Sequence, residues 1–137
     1  MKISIEMDIN ASLAQIWSAW TTPTHITQWN FASDDWCCPR AQIDLQVGQT
    51  FNYRMEAKDG SMGFDFEGEF TEIKIQQGIV FKLEDGREVS IEFRPTAHGV
   101  KVVETFEAES ANTAELQRQG WLNILSNFKK HVESLSN

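Results

Sequence analysis

The stretch NTAELQRQGWLNILSNFKKHVESL, residues 112–135, decides the fold of this chain. It contains no proline, and its spacing predicts one long amphipathic helix. Asn112, with Glu115 three residues later, is predicted to cap the helix at its N-terminus. The helix would span roughly 36 Å. Its apolar face consists of Leu116, Trp121, Ile124, Leu125, Phe128, Val132 and Leu135.

Gly120 is the one glycine in this predicted helix. A glycine inside a helix costs about 1 kcal/mol relative to alanine. Such a residue usually marks a close approach, so we expect a strand, another backbone or a ligand beside it. Because Trp121 follows directly, the sequence predicts a helix lying over a sheet, with a groove next to this tryptophan.

The N-terminal part of the chain predicts one strand and two helices. Residues 3–9 alternate apolar and polar side chains, which is typical of a half-buried strand. Ser12 and Gln15 form a capping box for a first helix, and Thr22-Pro23 starts a second one that ends near Trp29 or Phe31. Residues 30–40 have no period and include a proline, so they are predicted to form a loop.

Six further strands are predicted between residues 41 and 106, beginning with a short one at 41–45. Phe66 and Phe70 have even parity whereas Ile73 is odd, which predicts a bulge near residues 70–72. Asp59-Gly60 and Asp85-Gly86 indicate turns, and Glu84 is expected to pair with Arg87 across the second one. Successive hairpins imply an antiparallel sheet. The order is β-α-α, six strands and a long helix, which predicts a single α+β domain over residues 1–137.

Composition excludes several classes of partner. The chain has 137 residues and a net charge of −8, and its 12 basic residues form no cluster. Nucleic acid and anionic membranes are therefore not expected as partners. No stretch approaches the roughly 20 apolar residues of a membrane span, and the N-terminus does not resemble a signal peptide. Adjacent Cys37 and Cys38 fit a reducing compartment, so we expect a cytoplasmic protein without disulfides.

A curled seven-stranded sheet with one helix across its concave side leaves a volume that side chains must fill. If they do not fill it, an apolar cavity stays open, and the sequence leaves both outcomes possible. In the second case a small hydrophobic or aromatic molecule would bind there, with Trp29 and Trp36 near the mouth. The predicted ligand-binding residues are Trp29, Trp36, Tyr53, Met55, Phe64, Phe66, Phe81, Phe93, Trp121, Leu125 and Phe128.

Titratable residues do not form a catalytic or metal-binding motif in the sequence. His25, His98 and His131 lie on three different predicted elements, and His98 is expected to face solvent. We therefore predict no catalytic residues, no metal site and no cofactor. The side chain of Glu104 could face either the core or solvent. We favour the exposed orientation, because a buried glutamate needs a partner. If it points inward, Glu104 with Tyr53 or Arg54 would form the polar end of a pocket.

Taken in order, several short motifs resemble a known family along nearly the whole chain. They are Ile16-Trp17-x-Ala19, Thr22-Pro23-x-x-Ile26-x-x-Trp29, Asp44-x-x-x-Gly48, Phe51-x-Tyr53-x-Met55, Asp59-Gly60, Phe66-x-Gly68-x-Phe70-x-Glu72-Ile73 and Gly120-Trp121. With these motifs the chain resembles the START-like (SRPBCC) superfamily of helix-grip folds. Within it, the chain looks most similar to the C-terminal domain of the activator of the heat-shock protein 90 ATPase.

The resemblance implies three alternative functions. The first is non-catalytic binding of a hydrophobic molecule, which is our primary expectation. The second is a co-chaperone-like domain that binds a chaperone or another protein through its surface. The third is a cyclase-like or hydrolase-like enzyme, which would need an acid–base pair in the pocket. Fold alone does not decide between them.

Overall fold

The computed structural model describes residues 1–135. Within these residues, three helices and seven strands follow one another. In chain order they are β1 (Lys2–Ile9), α1 (Leu13–Thr21), α2 (Pro23–Trp29), β2 (Trp36–Ile43), β3 (Thr50–Ala57), β4 (Gly63–Lys74), β5 (Gly78–Leu83), β6 (Glu88–Thr96), β7 (Gly99–Glu107) and α3 (Ala114–Leu135). The predicted element order is confirmed.

All seven strands belong to one antiparallel sheet in the order β1-β7-β6-β5-β4-β3-β2. The sheet curls into a half-barrel, and α3 packs on its concave face, which confirms the α+β helix-grip fold. Hydrogen bonds from side chains of α3 hold it to neighbouring segments. Arg118 donates to the Ser4 carbonyl (3.0 Å), Lys129 to the Asp8 carbonyl (2.6 Å) and Asn127 to the Phe31 carbonyl (2.6 Å).

The core lies between the concave face and α3. On β7 every second residue is buried, from Val100 to Phe106, as the alternation of a half-buried strand requires. On α3 the buried residues are Leu125, Phe128 and Val132, spaced three and four apart. α1 and α2 close one end of this layer, with Ile16 and Ile26 fully buried.

The predicted loop over residues 30–40 is wrong in its second half, because β2 begins at Trp36 and not at residue 41. Pro39 was the reason that this strand was not predicted, because proline is rare inside strands. β2 is an edge strand of the sheet, where a residue without a backbone N–H is tolerated. The pairing of β2 with β3 also shifts register between Cys37 and Arg40, so Pro39 lies within an irregularity.

Two local predictions about the sheet are confirmed. The pairing of β4 with β5 shifts register between Phe70 and Glu72, at the predicted bulge. Gly86 turns the chain between β5 and β6 with a φ of +88°, a conformation that favours glycine. The predicted ion pair across this turn is wrong, since Arg87 Nε binds Asp85 Oδ2 at 2.7 Å instead of Glu84.

The long helix begins slightly later than predicted. Its first residue is Ala114, and the Thr113 hydroxyl accepts a hydrogen bond from the backbone N–H of Leu116 at 3.1 Å. Thr113 is therefore the N-cap, in place of Asn112. Asn112 instead donates to Glu109 Oε1 from both its backbone and its side chain.

Within residues 1–135, none of the helices has the length and apolarity needed to cross a membrane.

Candidate functional site

A cavity of about 330 Å³ remains open between the concave face of the sheet and α3. Most of its wall is apolar, and aromatic rings from both helices and strands contribute to it. The lining residues are Trp20, Trp29, Asn30, Ile43, Tyr53, Met55, Phe64, Phe66, Phe70, Ile79, Phe81, Leu83, Arg87, Glu104, Glu109, Asn112, Gln117, Trp121 and Ile124. The volume lies at the lower end of the range typical of small-molecule sites.

Strand alternation builds the sheet side of this cavity. Every second residue of β5, namely Ile79, Phe81 and Leu83, lines the wall. Tyr53 and Met55 do the same on β3. The opposite wall comes from α3, where Gln117, Trp121 and Ile124 are spaced four and three residues apart and so share one face.

The structure brings together seven of the residues that were predicted to bind a ligand. Trp29, Tyr53, Met55, Phe64, Phe66, Phe81 and Trp121 all line the cavity. Their role in binding stays a prediction. Trp29 does not lie near an opening as predicted, because it is only 3% exposed and its indole N–H donates to the Ala19 carbonyl at 3.0 Å.

Three other predicted residues, Phe93, Leu125 and Phe128, lie outside the cavity lining and fill the core. Phe128 is fully buried, with its ring centroid 4.8 Å from that of Trp20 and 4.9 Å from that of Trp29. Phe93 packs edge-on against Trp17 and Trp20. The volume under the sheet is therefore partly filled and partly open, and α1 with its tryptophans fills the end near Phe93.

Trp36 lies in a second, shallower groove that adjoins the cavity, which we call the mouth groove. Its own residues are Ala32, Ser33, Trp36, Leu116 and Gly120, and it shares Met55, Phe64, Asn112, Gln117, Trp121 and Ile124 with the cavity. The ring centroid of Trp36 is 5.9 Å from that of Phe64. The mouth groove is thus continuous with the cavity through Phe64 and Trp121.

Gly120 borders the mouth groove. A Cβ built on Gly120 would meet no atom within 4 Å outside the helix's own backbone and the chain neighbours. The predicted close approach of a strand or another backbone is therefore wrong. The absent side chain leaves open space beside Trp121, so the glycine widens the groove rather than admitting a neighbouring segment.

Glu104 faces the cavity, which makes the favoured prediction of an exposed carboxylate wrong. Its side chain follows the inward parity of Val102 and Phe106, and the residue is 7% exposed. Burial raises the pKa of Glu104 from 4.5 to about 8. Among residues 1–135 no side chain donates a hydrogen bond to this carboxyl or pairs with it. The group is therefore mostly protonated at neutral pH.

Tyr53 places a second polar group in the wall. The residue is 8% exposed, and burial, followed by the nearby Cys38 thiol, raises the pKa of its phenol. No group within the described chain hydrogen-bonds to the hydroxyl. Cys38 is itself buried, and desolvation raises the pKa of its thiol. These groups are neutral at pH 7, so the interior of the cavity carries little charge.

Polar residues at one end of the cavity were missed by the sequence reasoning. Gln117 bridges Glu109 and Asn112: its Nε2 donates to both carbonyls, at 3.1 and 2.9 Å. Hydrogen bonds from Asn112 and Ala111 lower the pKa of Glu109, so this carboxylate is ionised. The spacing of Gln117 and Trp121, four residues apart on one helix face, was the signal that could have placed Gln117 in the wall.

Trp20 and Ile79 also line the cavity without having been predicted there. The spacing of Ile16 and Trp20 puts both on one face of α1, but nothing in the sequence says that α1 reaches the open part of the core. Ile79 lies two residues before Phe81 on β5, so the two share a strand face. That shared parity was sufficient to include Ile79 in the wall.

The segment between α2 and β2 borders the mouth groove and is held by hydrogen bonds. Asn127 of α3 donates to the Phe31 carbonyl, and the backbone N–H of Trp36 donates to the Ser33 carbonyl at 3.1 Å. Asn30 is buried and its amide lies 3.1 Å from the sulfur of Met55. The segment is therefore tied to both α3 and the sheet side of the cavity.

The remaining titratable candidates lie outside the cavity. His98 is exposed, as predicted. His25 Nδ1 and His131 Nε2 are 2.9 Å apart, and desolvation together with the charge of His25 lowers the pKa of His131. Cys37 and Cys38 are free thiols. No group of three His, Cys, Asp or Glu side chains in residues 1–135 is arranged to hold a metal ion.

Comparison with known proteins gives one family. The sequence model of the family described as "Activator of Hsp90 ATPase homolog 1-like protein" matches residues 10–133. A search of curated protein sequences gives no match.

Solved structures agree with this match. An AHSA1-like protein from Aeromonas hydrophila is 45% identical, with a TM-score of 0.94 over 99% of this chain and 94% of that one. The protein Chr148 from Cytophaga hutchinsonii is 42% identical, with a TM-score of 0.84 over 97% and 92%. CV1439 from Chromobacterium violaceum shares the fold at 18% identity, with a TM-score of 0.87 over 97% and 98%.

Proposed function

Because the chain belongs to the family of Activator of Hsp90 ATPase homolog 1-like proteins within the START-like superfamily, we propose that it binds one small hydrophobic or aromatic molecule without catalysing a reaction. The site is the cavity between the sheet and α3. The observation that carries this proposal is the open volume of about 330 Å³ itself, in a core whose other large side chains are closely packed. An apolar cavity of this size is favourable for an apolar guest.

Burial of apolar surface supplies the binding energy. A ligand that buries roughly 200–300 Å² gains about 5–7 kcal/mol before the costs of association. Without these costs the gain corresponds to dissociation constants of roughly 10–200 µM, so small aromatic probes should bind no more tightly than that. The cavity wall presents ring edges as well as ring faces, which favours a flat ligand. For example, the centroids of the Phe66 and Trp121 rings are 6.0 Å apart and their planes meet at 80°.

Catalysis has less support. Glu104 and Tyr53 are titratable groups in the interior of the wall, and no hydrogen bond links them to one another or to a base among residues 1–135. An acid–base mechanism needs such groups within reach of each other and of the reacting atoms.

The two free thiols fit a reducing compartment, so the proposal places the protein in the cytoplasm.

A co-chaperone-like function is the second candidate, and one observation favours it. Phe64 and Leu116 border the mouth groove with 48% and 62% exposure, and Met62 nearby in sequence is 65% exposed. Exposed apolar residues grouped around a groove are typical of protein-binding surfaces. Under this alternative the surface binds a partner whether the cavity is open or filled.

Filling the cavity separates the two candidates. In the Leu83→Trp variant a larger ring replaces an inward side chain of β5, so it should occupy the volume that a ligand needs. We expect an uncharged fluorophore, N-phenyl-1-naphthylamine, to bind the variant at least tenfold more weakly than the unmodified protein. Fluorescence titration measures the affinity. Ile75→Trp is the matched control, since Ile75 is 71% exposed and lies outside the cavity lining.

The control variant should bind the fluorophore as the unmodified protein does. Circular dichroism checks that both variants fold, and Ile124→Trp repeats the test from the helix side if Leu83→Trp does not fold. Equal affinity of the unmodified protein and both folded cavity variants would contradict ligand binding in the cavity. Absence of saturable binding to the unmodified protein would do so too.

A further inference from the structure

Glu104 is a buried carboxyl group without a partner. It lines the cavity at 7% exposure, and within the described residues nothing donates to it or neutralises it. A polar group buried in this way costs folding free energy unless something else satisfies it. The side chain therefore points to a ligand group that is absent from the free protein.

Within the described part of the chain, the residues around Glu104 supply neither a hydrogen-bond donor nor a positive charge to its carboxyl group. Its neighbours on the adjacent strands are Ile5 on β1 and Ile91 on β6, both apolar. The other titratable groups in the cavity wall are Tyr53, Arg87 and Glu109, while the lining residues of α1, α2, α3, β4 and β5 are uncharged.

Arg87, the cation among these groups, is already engaged. Its Nε binds Asp85 at 2.7 Å, and its charge also acts on Glu109. Glu109 accepts hydrogen bonds from the backbone N–H groups of Ala111 and Asn112. Burial alone shifts the pKa of Glu104, with no contribution from the charge of Arg87 or Glu109, so a counterion would have to come from outside.

Aromatic rings around the cavity favour a cation. Trp121 stacks on Phe106, with centroids 4.2 Å apart and planes at 9°, and meets Phe66 edge-on. Trp29, Tyr53 and Phe81 add further rings to the wall. The negative faces of such rings attract ammonium groups, most strongly where water is excluded.

The surface beside the cavity is acidic. A shallow groove that shares Phe64, Phe66, Leu83 and Arg87 with the cavity carries an acidic rim, which consists of Asp65, Glu67, Glu84 and Asp85. Asp65 and Asp85 lie within 4 Å of arginines, but Glu67 and Glu84 form no ion pair among residues 1–135. With a net charge of −8, the protein attracts small cations toward this face.

We propose that the ligand of the cavity carries a protonated amine on its apolar body, and that Glu104 binds this ammonium group as a carboxylate. The inference rests on the proposed function, since it requires the cavity to hold a ligand. An ammonium supplies both the missing hydrogen bonds and the missing charge, and such charge-assisted bonds are stronger than neutral ones. A carbonyl group would only accept one hydrogen bond from the protonated acid.

Proton release distinguishes these two ligand chemistries. Burial keeps the Glu104 carboxyl protonated below its pKa of about 8, so an arriving ammonium displaces that proton to solvent. The affinity for an amine should then rise about tenfold per pH unit from pH 5 to pH 7 and level off above pH 8. It should fall only when the amine loses its own proton, near pH 10 as for lysine. A ligand that accepts from Glu104 shows no rise.

The test uses two probes with one apolar body, 3-phenylpropylamine and 3-phenylpropan-1-ol. We expect the amine to bind the unmodified protein at least tenfold more tightly than the alcohol at pH 8. Calorimetry at pH 7 in two buffers of different ionisation enthalpy should give about one proton released per bound amine. In the Glu104→Gln variant the preference and the proton release should both be lost, while the alcohol still binds. Glu69→Gln is the control, because Glu69 is exposed and outside the cavity.

Each failure has a distinct meaning. If the alcohol binds as tightly as the amine, or if Glu104→Gln keeps the preference, the amine proposal is overturned while the proposed ligand-binding function stands. If the amine binds without pH dependence, the assigned role of Glu104 is overturned as well. If neither probe binds, both proposals fail together.

Discussion

Replacing Glu104 with glutamine is expected to raise the free energy of unfolding more at pH 8 than at pH 5. The difference between the effects of the substitution at these two pH values should be about 3–4 kcal/mol. The folded-state pKa is raised from 4.5 to about 8 because burial disfavours the carboxylate. The folded protein therefore holds a proton that the unfolded chain releases above pH 4.5. The contribution of this proton to the stability is complete below pH 4.5 and is lost as the pH rises toward 8. Glutamine does not ionise, so this loss disappears.

Urea unfolding of the unmodified protein, Glu104→Gln and the control Glu69→Gln at pH 5 and pH 8 measures this effect. Differences between variants cancel the contributions of other titrating groups, provided that they do not interact with residue 104. The control should follow the unmodified protein at both pH values. An identical pH dependence for Glu104→Gln and the unmodified protein would show that Glu104 is ionised and solvated in the folded state.

Truncating Phe128 to alanine is expected to cost about 3–5 kcal/mol, because it removes a ring from a filled part of the core. Phe128 is fully buried and packs edge-on against both Trp20 and Trp29. Phe64→Ala is the matched comparison. Its ring is 48% exposed and borders open volume, so its loss should cost less than about 1 kcal/mol while weakening the binding of an aromatic probe.

Chemical unfolding and fluorophore titration of both variants test this division of the core. If Phe64→Ala were as destabilising as Phe128→Ala, the wall near Phe64 would be packed rather than open. The cavity would then be smaller than the structure indicates. A small cost at Phe128 would mean instead that the open volume extends under the tryptophans.

The regular parts of the fold were predictable because each depends on local spacing. Alternating residues on β1 and β3, the Ser12–Gln15 capping box and the parity change at Phe70–Glu72 all have physical causes that lie within a few residues. β2 was missed because Pro39 argues against a strand in general, and its tolerance at an edge depends on the position of the strand in the finished sheet.

The open and filled parts of the core could not be separated from sequence. Phe66, Phe81, Phe93 and Phe128 all face inward in pattern, yet α1 fills the space near Phe93 and Phe128 and leaves Phe66 and Phe81 at the cavity. Burial of Glu104 ran against the rule that buried acids need partners. Such a violation is expected where a side chain is kept for a ligand rather than for packing.

The indole N–H signals of the five tryptophans offer the most direct test of ligand binding in the cavity. Trp20, Trp29 and Trp121 line the cavity, Trp36 lies in the mouth groove, and Trp17 lies outside both. During titration with 3-phenylpropan-1-ol, followed by nuclear magnetic resonance, the signals of the first three should shift together and saturate with one dissociation constant, while that of Trp17 stays in place. Saturable shifts confined to Trp36, or none at all, would contradict the account.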